Sequence, residues 1–257
     1  MTAAKTEKEE GLLTAVRARR QAGFIPVIPD FKVRSPKEGD LTRGRAAGRT
    51  ALEFKALGAP ALSVVTENAS FGGSLRLLEE TAAAGLPVLR KDFIREREDL
   101  RQSKEAGAAA VLLICALLAP PALAELFAAA RELGLTALVE THTEDELALA
   151  ARLGARLIGI NNRDIRRLET DDGAVARTKR LAPLAPPGAL LVSESGLQTP
   201  ADVRAAAQAG ADAALVGSAL WLAADMGALY DAMQRAMPAE PAARAEGAGR
   251  AEPAERA

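Results

Sequence analysis

Short apolar runs rich in valine, isoleucine and leucine recur along the chain, each followed by a longer stretch of alanine, leucine, arginine and glutamate with helical character. Eight such runs lie near Ile25–Phe31, Ala61–Val65, Pro87–Leu89, Ala109–Ile114, Ala137–Val139, Leu157–Ile160, Leu190–Val192 and Ala213–Val216. They are nearly continuous rather than alternating. That is the pattern of parallel strands buried on both faces, and the segments between them are long enough for crossover helices. Helices are predicted near Thr42–Leu57, Ser74–Ala84, Glu96–Glu105, Pro120–Leu133, Thr143–Leu153, Gly173–Leu181, Pro200–Ala209 and Ala219–Met237. Thr143 with Glu146 three residues on reads as a capping box, and Thr199-Pro200 places a cap before a proline at the first helical position. Strand then helix, repeated eight times, predicts an α/β fold of the closed (β/α)8 type, a TIM barrel. The rival architecture, a doubly wound open sheet, would carry a glycine-rich dinucleotide loop after its first strand. The segment Asp30-Phe31-Lys32-Val33-Arg34-Ser35-Pro36 is not one.

The organisation that follows is a short N-terminal helical extension (1–23), one barrel domain (24–237) and a tail (238–257). The tail, AEPAARAEGAGRAEPAERA after Pro238, is low in complexity, has no large apolar residue to bury, and is expected to be disordered and solvated.

Composition narrows the function. With 33 basic against 34 acidic residues the formal net charge is −1, so no global field attracts nucleic acid or an anionic membrane. An anionic ligand must be held locally. One cysteine, Cys115, and one histidine, His142, exclude a disulfide framework and a Cys/His zinc cluster, so no metal is expected. No stretch approaches the ~20 apolar residues of a membrane span. The N-terminus, MTAAKTEKEEGLL, carries acids and lacks an apolar signal core. A cytoplasmic protein is expected, a monomer or weak homo-oligomer in the absence of any heptad seam.

In a barrel of this kind, catalytic groups stand at the C-terminal strand ends. The first strand ends in Asp30 and Lys32, the second in Thr66 and Glu67, the third in Lys91 and Asp92, and the fifth in Glu140. The sixth ends in Asn161, Asn162 and Arg163, the seventh in Ser193, Glu194 and Ser195, and the eighth in Gly217 and Ser218; the fourth alone ends apolar. Two lysines and a glutamate converging on one mouth form an acid/base set, because desolvation and mutual pairing move such groups toward neutrality. Ser195-Gly196 and Gly217-Ser218, in the last two loops, are small enough for backbone N–H groups to approach a phosphate. The remaining candidates read as structural. His142, two residues after Glu140, is expected to be a solvent-facing loop residue, the alternative being a place behind Glu140; Cys115 is expected to be a small buried hydrophobe and Trp221 a residue packed on the barrel. Arg17–Arg20 and Arg163–Arg167 read as solvated faces, with Arg163 the exception.

The ordered set of these blocks resembles the indole-3-glycerol phosphate synthase family of tryptophan biosynthesis, from about Phe24 to Leu222. The blocks are Lys32-Val33-Arg34-Ser35-Pro36, Leu62-Ser63-Val64-Val65-Thr66-Glu67, Phe71-Gly72-Gly73-Ser74, Pro87-Val88-Leu89-Arg90-Lys91-Asp92-Phe93, Leu138-Val139-Glu140, Ile158-Gly159-Ile160-Asn161-Asn162-Arg163-Asp164, Ser193-Glu194-Ser195-Gly196 and Val216-Gly217-Ser218. The resemblance implies a barrel of the ribulose-phosphate-binding type and a carboxy-lyase without cofactor. It implies Lys91 as general acid, Glu140 as acid/base for later proton transfers, and Lys32, Asn161 and Asp30 as further catalytic residues. Ser35, Phe71, Arg163, Glu194 and Ser195 would contact substrate, with Lys32, Ser195, Gly196, Gly217 and Ser218 around its phosphate. Asp30 replaces the family's usual glutamate, and Lys37 brings a charge to where the substrate's aromatic ring would lie. These departures leave open a paralogue acting on another phosphorylated sugar derivative. A non-catalytic barrel serving as a binding partner is a third reading, against which the intact Lys32, Lys91, Glu140 and Asn161 speak.

Overall fold

Residues 11–163 and 175–237 are described by a computed structural model. Eight parallel strands close on themselves in sequence order: β1 (Val27–Phe31), β2 (Leu62–Val65), β3 (Val88–Lys91), β4 (Ala110–Ile114), β5 (Thr136–Thr141), β6 (Leu157–Asn161), β7 (Leu190–Glu194) and β8 (Ala213–Val216), with β8 pairing back onto β1. The predicted barrel is therefore the observed one. Alternation along each strand divides the core in two. Ile28, Leu89, Leu112, Leu138, Leu157, Val192 and Leu215 fill the barrel lumen, while Val27, Val64, Val111, Val139, Ile158, Leu191 and Val216 face the surrounding helices. Extending the lumen parity by two residues puts Lys91, Ile114, Glu140 and Glu194 at its top, and by four residues on β6 puts Asn161 there, which is why the C-terminal strand ends make a mouth.

The described helices are α1 (Gly11–Gln21), α2 (Ala47–Ala56), α3 (Leu75–Ala82), α4 (Arg97–Glu105), α5 (Pro120–Glu132), α6 (Glu144–Arg152), α7 (Ala176–Leu181), α8 (Pro200–Gln208), α9 (Ser218–Leu222) and α10 (Met226–Gln234). Among the described residues no helix is long and apolar enough to cross a membrane. Helix α1 closes the end of the lumen opposite the mouth: its buried Leu12, Leu13 and Val16 pack into the same cluster as the lumen residues. Each such side chain contributes about 1.5–3 kcal/mol on burial. Arg20 of α1 pairs with buried Asp212, whose other carboxylate oxygen accepts the Leu191 N–H at 2.9 Å. Arg19 donates to the Leu57 carbonyl at 3.4 Å and lies 3.8 Å over the Phe24 ring. These two arginines are half-buried anchors rather than the solvated face that a charge run suggests.

Two helix boundaries differ from expectation for local reasons. Helix α2 starts at Ala47 rather than Thr42, because Arg43 and Gly44 adopt φ of 48° and 77°, outside the right-handed helical region. The last predicted helix is two, broken where Asp225 turns extended and caps α10 through the Ala228 N–H. Around α8 the full capping box forms between Thr199 and Asp202. At α6 only half of it does. Thr143 accepts from the Glu146 N–H, but the Glu146 carboxylate turns to the His142 N–H instead, at 2.6 Å. The predicted helix start at Gly173 and the tail 238–257 lie outside the described residues.

Candidate active site

The mouth contains two cavities. The first, of about 590 Å³ open to solvent, is lined by Asp30, Lys32, Glu38, Lys91, Arg163, Ser195, Gly196, Gly217 and Ser218, among others. The second, of about 370 Å³ and likewise open to solvent, is lined by Val65, Phe71, Phe93, Leu112 and Ile114 on its apolar side. Lys32 and Lys91 line both. One cavity is polar and rimmed by small residues, the other is a greasy slot, and two cations stand on the ridge between them.

Each wall has a local cause. Ser195 and Gly196 follow β7 with φ of 63° and 72°, two successive left-handed residues. Serine rarely adopts this conformation, and such strain persists where the surroundings enforce it. The turn lays the backbone along the cavity, next to Gly217. A methyl group at Gly217 would come 3.4 Å from Asp30 Oδ2, in van der Waals contact with it. On the apolar side, the Glu67 carboxylate accepts the N–H groups of Ala69, Ser70 and Phe71 at 2.8, 2.8 and 3.1 Å, wrapping the loop that presents Phe71. The Lys32 ammonium lies 5.2 Å from the centre of that ring. A Cβ at Gly73 would sit 2.1 Å from the Val65 carbonyl oxygen, so only glycine lets the loop return so close to β2.

Behind the ridge lie carboxylates. Asp30 is 5% exposed, and its Oδ1 accepts the Ser63 hydroxyl at 2.6 Å; its own carbonyl accepts the Trp221 indole N–H at 2.7 Å. Glu140 and Glu194 are fully buried, with no hydrogen-bond partner on any of their four carboxylate oxygens. They fit side by side because the residue between them on β6 is Gly159: a Cβ there would lie 1.8 Å from Glu194 Oε1. Burial first, and the Glu140 carboxylate next, push the Glu194 carboxyl well above the usual carboxylate range; Lys91 opposes this and Asp30 adds to it. Two close carboxyls in a lumen favour one negative charge over two, which shifts Glu194 toward its protonated form.

Asn161 and Arg163 continue from β6. Asn161 Oδ1 accepts the Arg163 N–H at 3.0 Å, and both residues are buried. Asn162 is not part of the mouth: its amide ties Ser193, the Glu194 and Ser195 carbonyls and Thr178 into one network that fixes β7 against α7. Ser35 is buried and does not line either cavity; its hydroxyl accepts the N–H groups of Lys37 and Glu38 at 3.2 and 3.3 Å and shapes their turn. Lys37 is exposed and stays out of the apolar cavity. The residue of that loop that enters the mouth is Glu38, whose Oε2 accepts the Ser218 hydroxyl at 3.2 Å. The sequence reading missed Glu38, whose neighbours carry no helical or strand period. It missed Phe93, Leu112 and Ile114 as well, since an apolar strand end looks like core.

Two further expectations change or hold. His142 is 8% exposed, not solvent-facing: its ring packs between Glu140 and Glu146. Cys115 is buried, and desolvation first, then Glu146 and Glu140, pushes its thiol up to about 12, as befits an inert small hydrophobe.

Fold and site together define a (β/α)8 barrel that gathers two lysines and several carboxylates at the C-terminal ends of its strands. The indole-3-glycerol phosphate synthase family model matches residues 1–233. The chain is 47% identical over 205 residues to the indole-3-glycerol phosphate synthase of Pyrococcus furiosus, covering 79% of this chain and 89% of that one. It is 46% identical to that of Thermococcus kodakarensis over the same shares, and 41% identical to that of Chlorobium phaeovibrioides over 81% of this chain and 80% of the other. The chain belongs to the indole-3-glycerol phosphate synthase family. Among solved structures, a mandelate oxidase mutant with an FMN adduct superimposes with a TM-score of 0.61 at 16% identity over 88% of this chain and 84% of that one, a likeness of fold alone.

Proposed function

We propose that the protein closes 1-(2-carboxyphenylamino)-1-deoxyribulose 5-phosphate to indole-3-glycerol phosphate with loss of carbon dioxide and water. The observation that carries this reading is the pair of lysines shared by a polar and an apolar cavity. The substrate has a phosphate at one end, an aromatic ring at the other, and a ketose carbonyl and carboxylate between them. Phosphate goes to Ser195, Gly196, Gly217 and Ser218; the ring goes to Phe71, Phe93, Leu112 and Ile114.

In this reading Lys91 protonates the ketose oxygen as the ring carbon attacks, and Lys32 neutralises the carboxylate that leaves as carbon dioxide. Glu140 moves protons in the closing dehydration. Asn161, Arg163 and Glu194 orient the substrate's hydroxyls and charges, and Asp30 holds the base of the Lys32 loop. Ser35 acts through the turn it caps. The departures that favoured a paralogue weigh less once placed: Lys37 lies outside the ring cavity and Asp30 is engaged by Ser63. We also place the protein in the cytoplasm as a monomer or weak homo-oligomer that engages no nucleic acid.

Steady-state turnover, followed by indole fluorescence, tests the proposal. Lys91→Ala should lower kcat by about 10²–10⁴-fold, the usual contribution of a positioned general acid. A folded wild-type protein without turnover would sink the reading and return the paralogue.

A further inference from the structure

With the substrate carboxylate ionised, closing the ring with loss of carbon dioxide and water consumes one proton per turnover. That proton must come from solvent. Glu140, which the proposed function uses for the dehydration, has no surface exposed and no hydrogen-bond partner on either carboxylate oxygen. Something must reload it.

The chain's single histidine stands where a carrier would. His142 Nε2 lies 3.5 Å from Glu140 Oε1, and Nδ1 lies 3.3 Å from Glu146 Oε2. The three side chains grade outward, at 0%, 9% and 20% exposed for Glu140, His142 and Glu146. His142 Nε2 is buried with no hydrogen-bond partner, so its outlook on Glu140 is not claimed by another group. Glu146 is fixed in place by the His142 and Thr143 neighbourhood. Its burial raises the carboxyl, and the hydrogen bonds from the His142 ring and N–H outweigh that, holding it below the usual range. This is also why the capping box at α6 is only half formed.

We propose that Glu146, His142 and Glu140 form a carboxyl–imidazole–carboxyl relay that carries protons from solvent to Glu140, with His142 as a positioning residue for the family reaction. The inference rests on the acid/base reading of Glu140. In the step, Glu146 has taken a proton from solvent and the ring holds its own on Nε2, the tautomer opposite to the one that donates to the Glu146 carboxylate at rest; the Glu146 proton passes to Nδ1 while the Nε2 proton passes to Oε1 of Glu140. The O–H bond at Glu146 and the N–H bond at Nε2 break; the N–H bond at Nδ1 and the O–H bond at Glu140 form. Charge is conserved, one carboxylate being exchanged for the other. The Nδ1–Glu146 contact is already a long hydrogen bond, and a shift on the order of 0.5 Å makes the Nε2–Glu140 contact an ordinary one. The other titratable groups facing the triad are Cys115, whose thiol lies 4.0 Å from the Glu146 carbonyl, and Glu194, whose carboxyl the Glu140 carboxylate pushes up.

His142→Gln keeps the size and a polar end but cannot exchange a proton between two atoms. It should lower kcat on the order of 10- to 100-fold, a share of what general acid–base catalysis supplies. KM should stay within about twofold, since no ground-state contact is lost. The solvent deuterium isotope effect on kcat should rise as proton delivery becomes limiting, and added imidazole should restore turnover to His142→Ala. Glu146→Gln should slow kcat in the same direction. If Glu140→Gln is inactive while a folded His142→Gln retains the wild-type kcat and isotope effect, the relay is wrong and Glu140 stands. If Glu140→Gln turns over normally, both fall. Should His142→Gln fail to fold, Glu146→Gln decides, and an unchanged kcat and isotope effect there overturns the relay.

Discussion

Gly159 shows how much of this mouth depends on an atom that is missing. The side chain absent from β6 is the space that the Glu194 carboxylate occupies, and Glu140 runs alongside. Gly159→Ala should therefore force the Glu194 side chain to rotate within a closed lumen. The cost in stability is about 1–3 kcal/mol, that of an overpacked core, while kcat/KM falls by a larger factor because the displaced group belongs to the site. Comparing the urea midpoint with turnover would separate the two, and a variant with unchanged turnover would refute the packing argument. The sequence made most of these residues legible, since charged groups that end apolar strands have few other reasons to be there. What it hid were residues whose role comes only from position. Glycine inside Leu-Ile-Gly-Ile-Asn reads as a weak strand residue until its neighbours across the sheet are known. His142 reads as a loop residue until α6 is seen to fold back over it.

At the scale of elements, the barrel was legible because every strand is apolar on both faces, a pattern that an open antiparallel sheet would not show. Helix ends were less so. The start of α2 is set by two left-handed residues, and the break before α10 by one aspartate cap, neither of which changes the apolar period. Helix α1 gives the clearest test of the division between the two ends of the barrel. Leu12 is buried against the lumen floor, on the far side from Lys91. Leu12→Ala should cost about 2–5 kcal/mol through the cavity it leaves. At a temperature where the variant is still folded, KM should be unaltered. A raised KM with little loss of stability would mean that the floor helix communicates with the mouth.

For the molecule as a whole, the buried acid has a thermodynamic signature. Glu194 has its folded-state pKa raised above the ordinary 4.5 of a glutamate. The folded chain thus binds that proton more tightly than the unfolded chain. Its contribution to stability is complete below the unfolded value and is lost as pH rises from there through the folded one. Glu194→Gln removes this dependence. The Tm of the variant should match wild type near about pH 4 and exceed it increasingly toward about pH 8, because the variant lacks the proton that the Glu194–Glu140 pair retains on folding. A gap that is constant with pH would show that Glu194 is charged in the folded state. The gain would come with impaired catalysis, as is usual where a site is kept under tension. The same neighbourhood also holds Trp221, the one tryptophan of the chain, which is 3% exposed, bonded to the Asp30 carbonyl, and set edge-on to Phe31 at 5.2 Å. Its emission is consequently an intrinsic beacon from behind the Asp30 wall of the mouth, uncontaminated by any second indole of the protein, and a shift in its wavelength on adding inorganic phosphate would report occupancy without a label.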